Sequence, residues 1–114
     1  MKVKLDFVTN SSSTAFIITN TSDNDLSLVD FVKENPQLIE EFKETYGYVN
    51  DPEFTQEKLI ESAKRNDEKL KAGIDEWCSF GDEDGTLVGM VFDYILREGG
   101  TSKNFTWRFD SWQR

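Results

Sequence analysis

Between Thr86 and Glu98 the chain has almost no polar face: Leu87, Val88, Met90, Val91, Phe92, Tyr94, Ile95 and Leu96 leave Asp93 as the one carboxylate among them. A helix that is apolar all round belongs in an interior, so this stretch reads as a central buried helix that the rest of the chain must surround. A strand from Leu87 to Phe92 is the alternative, because a short apolar run does not by itself separate the two. Gly99 and Gly100 fit a left-handed helix stop, and Arg97 is placed to meet the negative end of the helix dipole.

The clearest strand signal is at the start. Val3, Leu5 and Phe7 alternate with Lys2, Lys4 and Asp6, the period-two pattern of a half-buried strand. The hydroxyl and amide block from Thr9 to Thr14 comes next, then the apolar run Ala15 to Ile18, and a hairpin from Lys2 to Ile18 is the economical reading. Asn10 is the turn residue best able to adopt a left-handed conformation. At the other end Phe105, Trp107 and Phe109 alternate with Thr106, Arg108 and Asp110, a closing strand whose rings on one face feed the core.

The middle is helical. Ser27 caps a short helix carrying Leu28, Val29, Phe31 and Val32. Asn35 and Pro36 open a second, with Leu38, Ile39, Phe42 and Tyr46 at helical spacing until Gly47. Thr55 or Asp51 caps a third run, in which Leu59, Ile60, Ala63, Leu70, Ile74, Trp77 and Cys78 keep a helical period across a polar gap at Lys64 to Lys69. That gap is either an exposed turn or a break near Asn66. The expected architecture is a single α+β domain over residues 1–114, with a small antiparallel sheet (N-terminal β-hairpin plus C-terminal strand) packed against three to four helices.

The segment DFVTNSSSTAFII resembles the opening of a group of small prokaryotic and phage-type proteins, which begin with a Lys-rich strand, then DFVTNSSS, then a Phe-Ile strand. FGDEDG, VFDYILREGG and FTWRF look like the rest of that group. The resemblance implies a discrete fold and brings no activity with it. It points to Asp6, Thr9, Asn10, Ser11, Ser12 and Ser13 as the first place to look for a binding site.

Composition narrows the chemistry. Thirteen basic against twenty-two acidic residues give a formal charge of -9, which repels phosphate backbones and anionic lipid heads and favours basic partners. Direct nucleic-acid binding is therefore not expected. There is no histidine and only one cysteine, Cys78, which removes Ser-His-Asp and Cys-His catalysis, His-bearing zinc sites and all-thiolate zinc sites. A lone thiol suits a reducing, cytoplasmic setting. No apolar run approaches the roughly 18 residues of a membrane span, and no apolar leader follows the first lysines. Three glycosylation acceptor patterns, at Asn10, Asn20 and Asn104, are read as chance in a chain that is not exported.

Several stretches could carry function. Thr9 to Thr14 could offer hydroxyls and turn amides to an anion, although a hairpin turn explains the same residues. Asp82, Glu83 and Asp84 sit in a Gly-bracketed turn that could hold a hard cation. The calcium-loop pattern fails there, since Phe80 falls where the first carboxylate belongs and Val91 where the bidentate Glu belongs. Asp93 needs a partner in its apolar setting, and Arg97, four residues on, or Arg108 would supply one. Cys78, beside Trp77 on an apolar helical face, packs as a small hydrophobe, and Trp112 is the aromatic left over as a surface anchor. The leading expectation is a non-enzymatic module that binds a protein with a basic surface, with no cofactor, metal site or membrane; a homodimer stays open. The alternative is a small-ligand protein or enzyme that uses the Ser/Thr turn, or Asp82, Asp84 and Asp93, to hold an anion or a divalent metal.

Overall fold

The computed structural model describes residues 13–66, 68–81 and 85–113, without the side chains of 112 and 113. Strand β1 (Ser13–Asn20) lies at the middle of the larger sheet. It pairs antiparallel on one side with β4 (Asp75–Gly81) and on the other with β6 (Phe105–Gln113), and the short β5 (Gly100–Thr101) closes the far edge beside β6. The sequence order gives a sheet of β4-β1-β6-β5. A second, two-stranded sheet joins β2 (Leu26–Ser27) to β3 (Lys69–Leu70). Four helices complete the described residues: α1 (Leu28–Glu34), α2 (Gln37–Tyr46), α3 (Gln56–Arg65) and α4 (Leu87–Ile95). The α+β class is as expected from the sequence, and the C-terminal strand joins the sheet beside the strand that holds Ala15 to Ile18. The first arm of the expected hairpin, Lys2 to Phe7, lies outside the described residues, and both edges of β1 are occupied by β4 and β6.

Alternation along β1 sends Thr14, Phe16, Ile18 and Asn20 into the interior, all buried, while Ser13, Ile17 and Thr19 are half-buried on the other face. Ala15 is also buried despite its outward phase. The ladder to β6 shifts between Ala15, opposite Ser111, and Phe16, opposite Phe109. Asp110 is the extra residue of this β-bulge, which locally increases the strand's twist. Phe105 and Trp107 of β6 are buried and Phe109 is half-buried, so the closing strand covers the core as its alternation predicts.

The segment from Leu87 is a helix. Thr86 Oγ1 accepts from Gly89 N at 3.0 Å, and Ser62 Oγ, reaching from α3, accepts from Val88 N at 3.0 Å. Two of the free amides of the first turn are thus satisfied. The helix stops at Ile95, before the two glycines, and Leu96 caps it in a right-handed conformation. Arg97 still serves the end as expected, for its Nε donates to the Asp93 carbonyl at 2.7 Å. Ser27 caps α1 with a reciprocal box to Asp30, Thr55 caps α3, and Gly47 ends α2 at φ 82°. Pro36, rather than Asn35, occupies the cap position of α2. The Asn35 side chain turns back to donate to Phe31 O at 2.9 Å.

A larger expectation is overturned. Leu70, Ile74, Trp77 and Cys78 do not continue α3, which ends at Arg65; they belong to β3, the following turn and β4. Cys78 and Phe80 face the interior from a strand, whereas Trp77 is 52 % exposed on the outer face. The helical spacing of these residues is coincidental, because Asp75 and Glu76 interrupt the period and Gly73, at φ 73°, turns the chain.

Two side-chain networks tie distant segments together. Asn20 is fully buried; its Nδ2 donates to Asn24 O and to Leu70 O, both at 2.7 Å, and its Oδ1 accepts from Ser22 N and Ser22 Oγ. Glu34, at the end of α1, accepts from Ser102 Oγ at 2.5 Å and from Asn104 N and Nδ2 at 2.7 and 2.8 Å, which pins the β5–β6 turn to the helix. Burial works to raise the Glu34 carboxyl, but the Ser102 and Asn104 hydrogen bonds and the nearby Lys103 outweigh it and hold the group below its usual range. A carboxyl so depressed stabilises the fold above its unfolded pKa of about 4.3, and the contribution disappears as pH falls through the lower folded value. Glu34→Gln is therefore expected to cost on the order of 1 kcal/mol at pH 7, after allowance for solvent screening. In denaturant titrations the gap to the parent should narrow as pH falls below the unfolded value and the carboxyl becomes protonated in the fold as well. A loss that stays constant with pH would contradict this role.

Candidate functional site

Most of the residues singled out in the sequence lie outside the described structure: Asp6, Thr9, Asn10, Ser11, Ser12, Asp82, Glu83 and Asp84. Ser13 starts β1, where it accepts from Ser79 Oγ at 3.2 Å. Trp112 pairs through its backbone with Thr14, and its side chain is not described. Ser13 is the Cα partner of both Gly81 and Gln113, so the starts and ends of three strands meet at one corner of the sheet. Asp93 faces the interior, 4 % exposed, and its Oδ1 accepts from Thr14 Oγ1 at 2.5 Å and pairs with Arg97 Nη2 at 3.1 Å. The carboxylate is thus committed to a hydroxyl and a guanidinium, the structural role weighed for it in the sequence. Among the described residues no group of three or more acidic, Cys or His side chains is arranged to hold a metal.

Cys78 is no nucleophile. Burial pushes its thiol well above the ordinary range, and Glu68 and Glu76 push it further; a thiolate is needed for attack. Its Sγ lies 3.8 Å from Glu76 O. The native protein should resist iodoacetamide at pH 8 and become labelled only in denaturant, as read by mass spectrometry; rapid native labelling would contradict the burial.

The strongest candidate is a groove of about 470 Å³ where α2, the end of α4 and β5 meet. Helical periodicity explains its walls. In α2 the buried face is Leu38, Ile39 and Phe42, which turns Glu41 and Tyr46 toward the flank. In α4 the buried face is Val88, Val91 and Phe92, leaving Tyr94 half-buried beside α2, with Glu98 just beyond the helix end. The Tyr46 and Tyr94 rings lie 5.3 Å apart, tilted by 55°. Tyr46 also rests on Phe42 at 5.0 Å, yet stays 46 % exposed. Arg97 stands over the Tyr94 ring at 4.6 Å, held by its bonds to Asp93, so Tyr46 is the ring open to a ligand.

The remaining wall is β5 on top of Trp107. A Cβ at Gly100 would stand 2.4 Å from Trp107 Cζ2 and 2.7 Å from Cε2, so only glycine lets the β5 backbone lie on the indole. Beneath it Trp107 Nε1 is buried and finds no acceptor among the described residues. Gly99 turns the chain into β5 at φ 74°.

The electrostatics of the groove are one-sided. Glu41 and Glu98 are both exposed, and neither makes an ion pair or a side-chain hydrogen bond with a described residue. No lysine or arginine among the described residues lines the groove. Two carboxylates beside an exposed tyrosine face suit an ammonium or guanidinium group, which the ring quadrupole and the negative charges both attract. Sequence reading passed over these residues because Glu and Tyr on helices are ordinary. The only available signal was the four-residue spacing of Tyr94 and Glu98, which would place them on one helical face.

No protein-family model matches the chain, and no curated protein or solved structure matches it either.

Proposed function

We propose that this chain is a non-enzymatic binding module that takes a lysine- or arginine-bearing segment of a partner protein into the groove between α2, α4 and β5. The observation that carries the reading is the pairing of the carboxylates of Glu41 and Glu98, unengaged by any described residue, with the open ring of Tyr46, in a groove that no basic residue among the described ones lines. The overall charge of -9 works in the same direction, drawing basic surfaces in and accelerating encounter at low salt. No helix among the described residues is long and apolar enough to cross a membrane. With its unpaired, buried Cys78, the module suits a reducing cytoplasm.

The test is an amide-resolved NMR titration with a short lysine-containing peptide and its glutamate counterpart at low and high salt. The lysine peptide should shift resonances of Glu41, Tyr46, Tyr94 and Glu98. The shifts should vanish in the Glu41→Gln/Glu98→Gln variant, and the glutamate peptide should leave the groove untouched. Shifts scattered over the acidic surface, with the groove unaffected, would sink the reading.

A further inference from the structure

A single cationic side chain is too little for this groove. A cation over an exposed ring and two exposed ion pairs are each weak and screened by salt, and together they fall short of even millimolar affinity. A ligand that binds usefully must touch something else, and the β5 backbone, itself part of the groove wall, offers polar groups for this.

The ladder fixes which groups these are. Ser102 N donates to Phe105 O at 2.8 Å, which makes Ser102 and Phe105 a hydrogen-bonded pair. Antiparallel pairs alternate, so Thr101 and Thr106 form the next, non-hydrogen-bonded pair, and Gly100 and Trp107 bond again. Thr101 therefore turns its N–H and C=O away from β6, toward the edge of the sheet that no other described strand covers. Strand β5 is the last in the order, and Thr101 is itself part of the groove wall.

We infer that the partner enters as an extended strand that adds to the β5 edge through the Thr101 backbone, with a lysine or arginine directed to Tyr46, Glu41 and Glu98. This deepens the proposed function and rests on it. Strand addition supplies backbone hydrogen bonds for affinity, and the alternation of side chains supplies selectivity, since every second residue points to the same side. The glycine at 100 keeps β5 seated on Trp107, where a Cβ would strike the ring, and so holds the Thr101 backbone at the sheet's edge. The occupant is thus an extended segment in which a basic residue is flanked by β-forming residues.

The experiment uses the full chain and three synthetic peptides: acetyl-Thr-Val-Lys-Val-Thr-amide, the same peptide with backbone N-methyl groups on both valines, and the version with Glu in place of Lys. The lysine peptide should bind with a dissociation constant at least tenfold below that of either other peptide, and should slow hydrogen exchange at the Thr101 amide. Thr101→Pro removes the outward N–H without removing a ladder bond, so it should keep the parent circular dichroism spectrum and lose at least tenfold in affinity. If the N-methylated peptide binds as tightly as its parent while the Glu peptide fails, strand addition is wrong and the cation-binding groove stands. If the Lys and Glu peptides behave alike, both readings are overturned.

Discussion

Phe31→Ala is expected to remove about 3–5 kcal/mol of stability, the usual range for truncating a fully buried aromatic. Phe31 is fully buried, and its ring meets Phe92, Phe105 and Trp107 at centroid distances of 5.6, 5.2 and 5.2 Å, each close to perpendicular. One side chain on α1 therefore joins the central helix to the closing strand. Edge-to-face pairs contribute roughly 0.5–1.5 kcal/mol each beyond burial, and the vacated space cannot collapse, because three rings from two elements surround it. At roughly 4 °C per kcal/mol for a chain of this size, the melting temperature should fall by about 12–20 °C. Phe31→Leu should recover more than half of the loss. A fall of less than about 4 °C for the alanine variant would show that the core tolerates the cavity and that this cluster is not central.

Asn20→Asp should be nearly as damaging although it changes one atom. The Asn20 amide donates to two carbonyl oxygens at 2.7 Å. A carboxylate oxygen in that place would face both acceptors with no proton to share, at a site with no exposure. Burying an unpaired charge against two acceptors is expected to cost about 3–5 kcal/mol at pH 7. The introduced acid would favour its neutral form in the fold, so its folded pKa would lie above the unfolded value of about 3.9. The sign follows: the loss grows as pH rises through the unfolded pKa and shrinks below about pH 4, where the group is protonated in both states. Chemical denaturation of parent and variant at pH 3.5 and pH 7 should show this convergence. Equal losses at both pH values would mean that the damage is steric and not electrostatic.

Both substitutions act where segments far apart in sequence meet, and the two kinds of information divide there. Local chemistry determined the pieces. A hydroxyl at Ser27 and at Thr55 begins a helix because it satisfies amides that the helix itself cannot. Gly47 ends one because only glycine takes the left-handed turn without strain. The apolar stretch after Thr86 had to be buried whichever neighbours covered it, and the alternation of Phe105, Trp107 and Phe109 gave a strand its inner face. These signals lie within a few residues of one another and need no tertiary partner to be read.

Only the tertiary structure decided the strand character of Asp75–Gly81 and the place of the groove. In β4 a tryptophan sits outside and Glu76 shares the inward phase of Cys78 and Phe80, so the period is blurred and the strand is specified by pairing with β1 from Asp75 to Gly81. β propensity follows cross-strand neighbours more than the residues themselves. The groove draws on α2, the end of α4, β5 and β6, whose residues carry no local pattern that links Glu41 to Glu98 or Tyr46 to Thr101. Their conjunction comes from the packing of α2 on α4 and from a glycine at 100 that lets β5 rest on Trp107. Hydrophobic burial fixes which faces turn inward; what the outward faces bring together depends on how the layers are stacked.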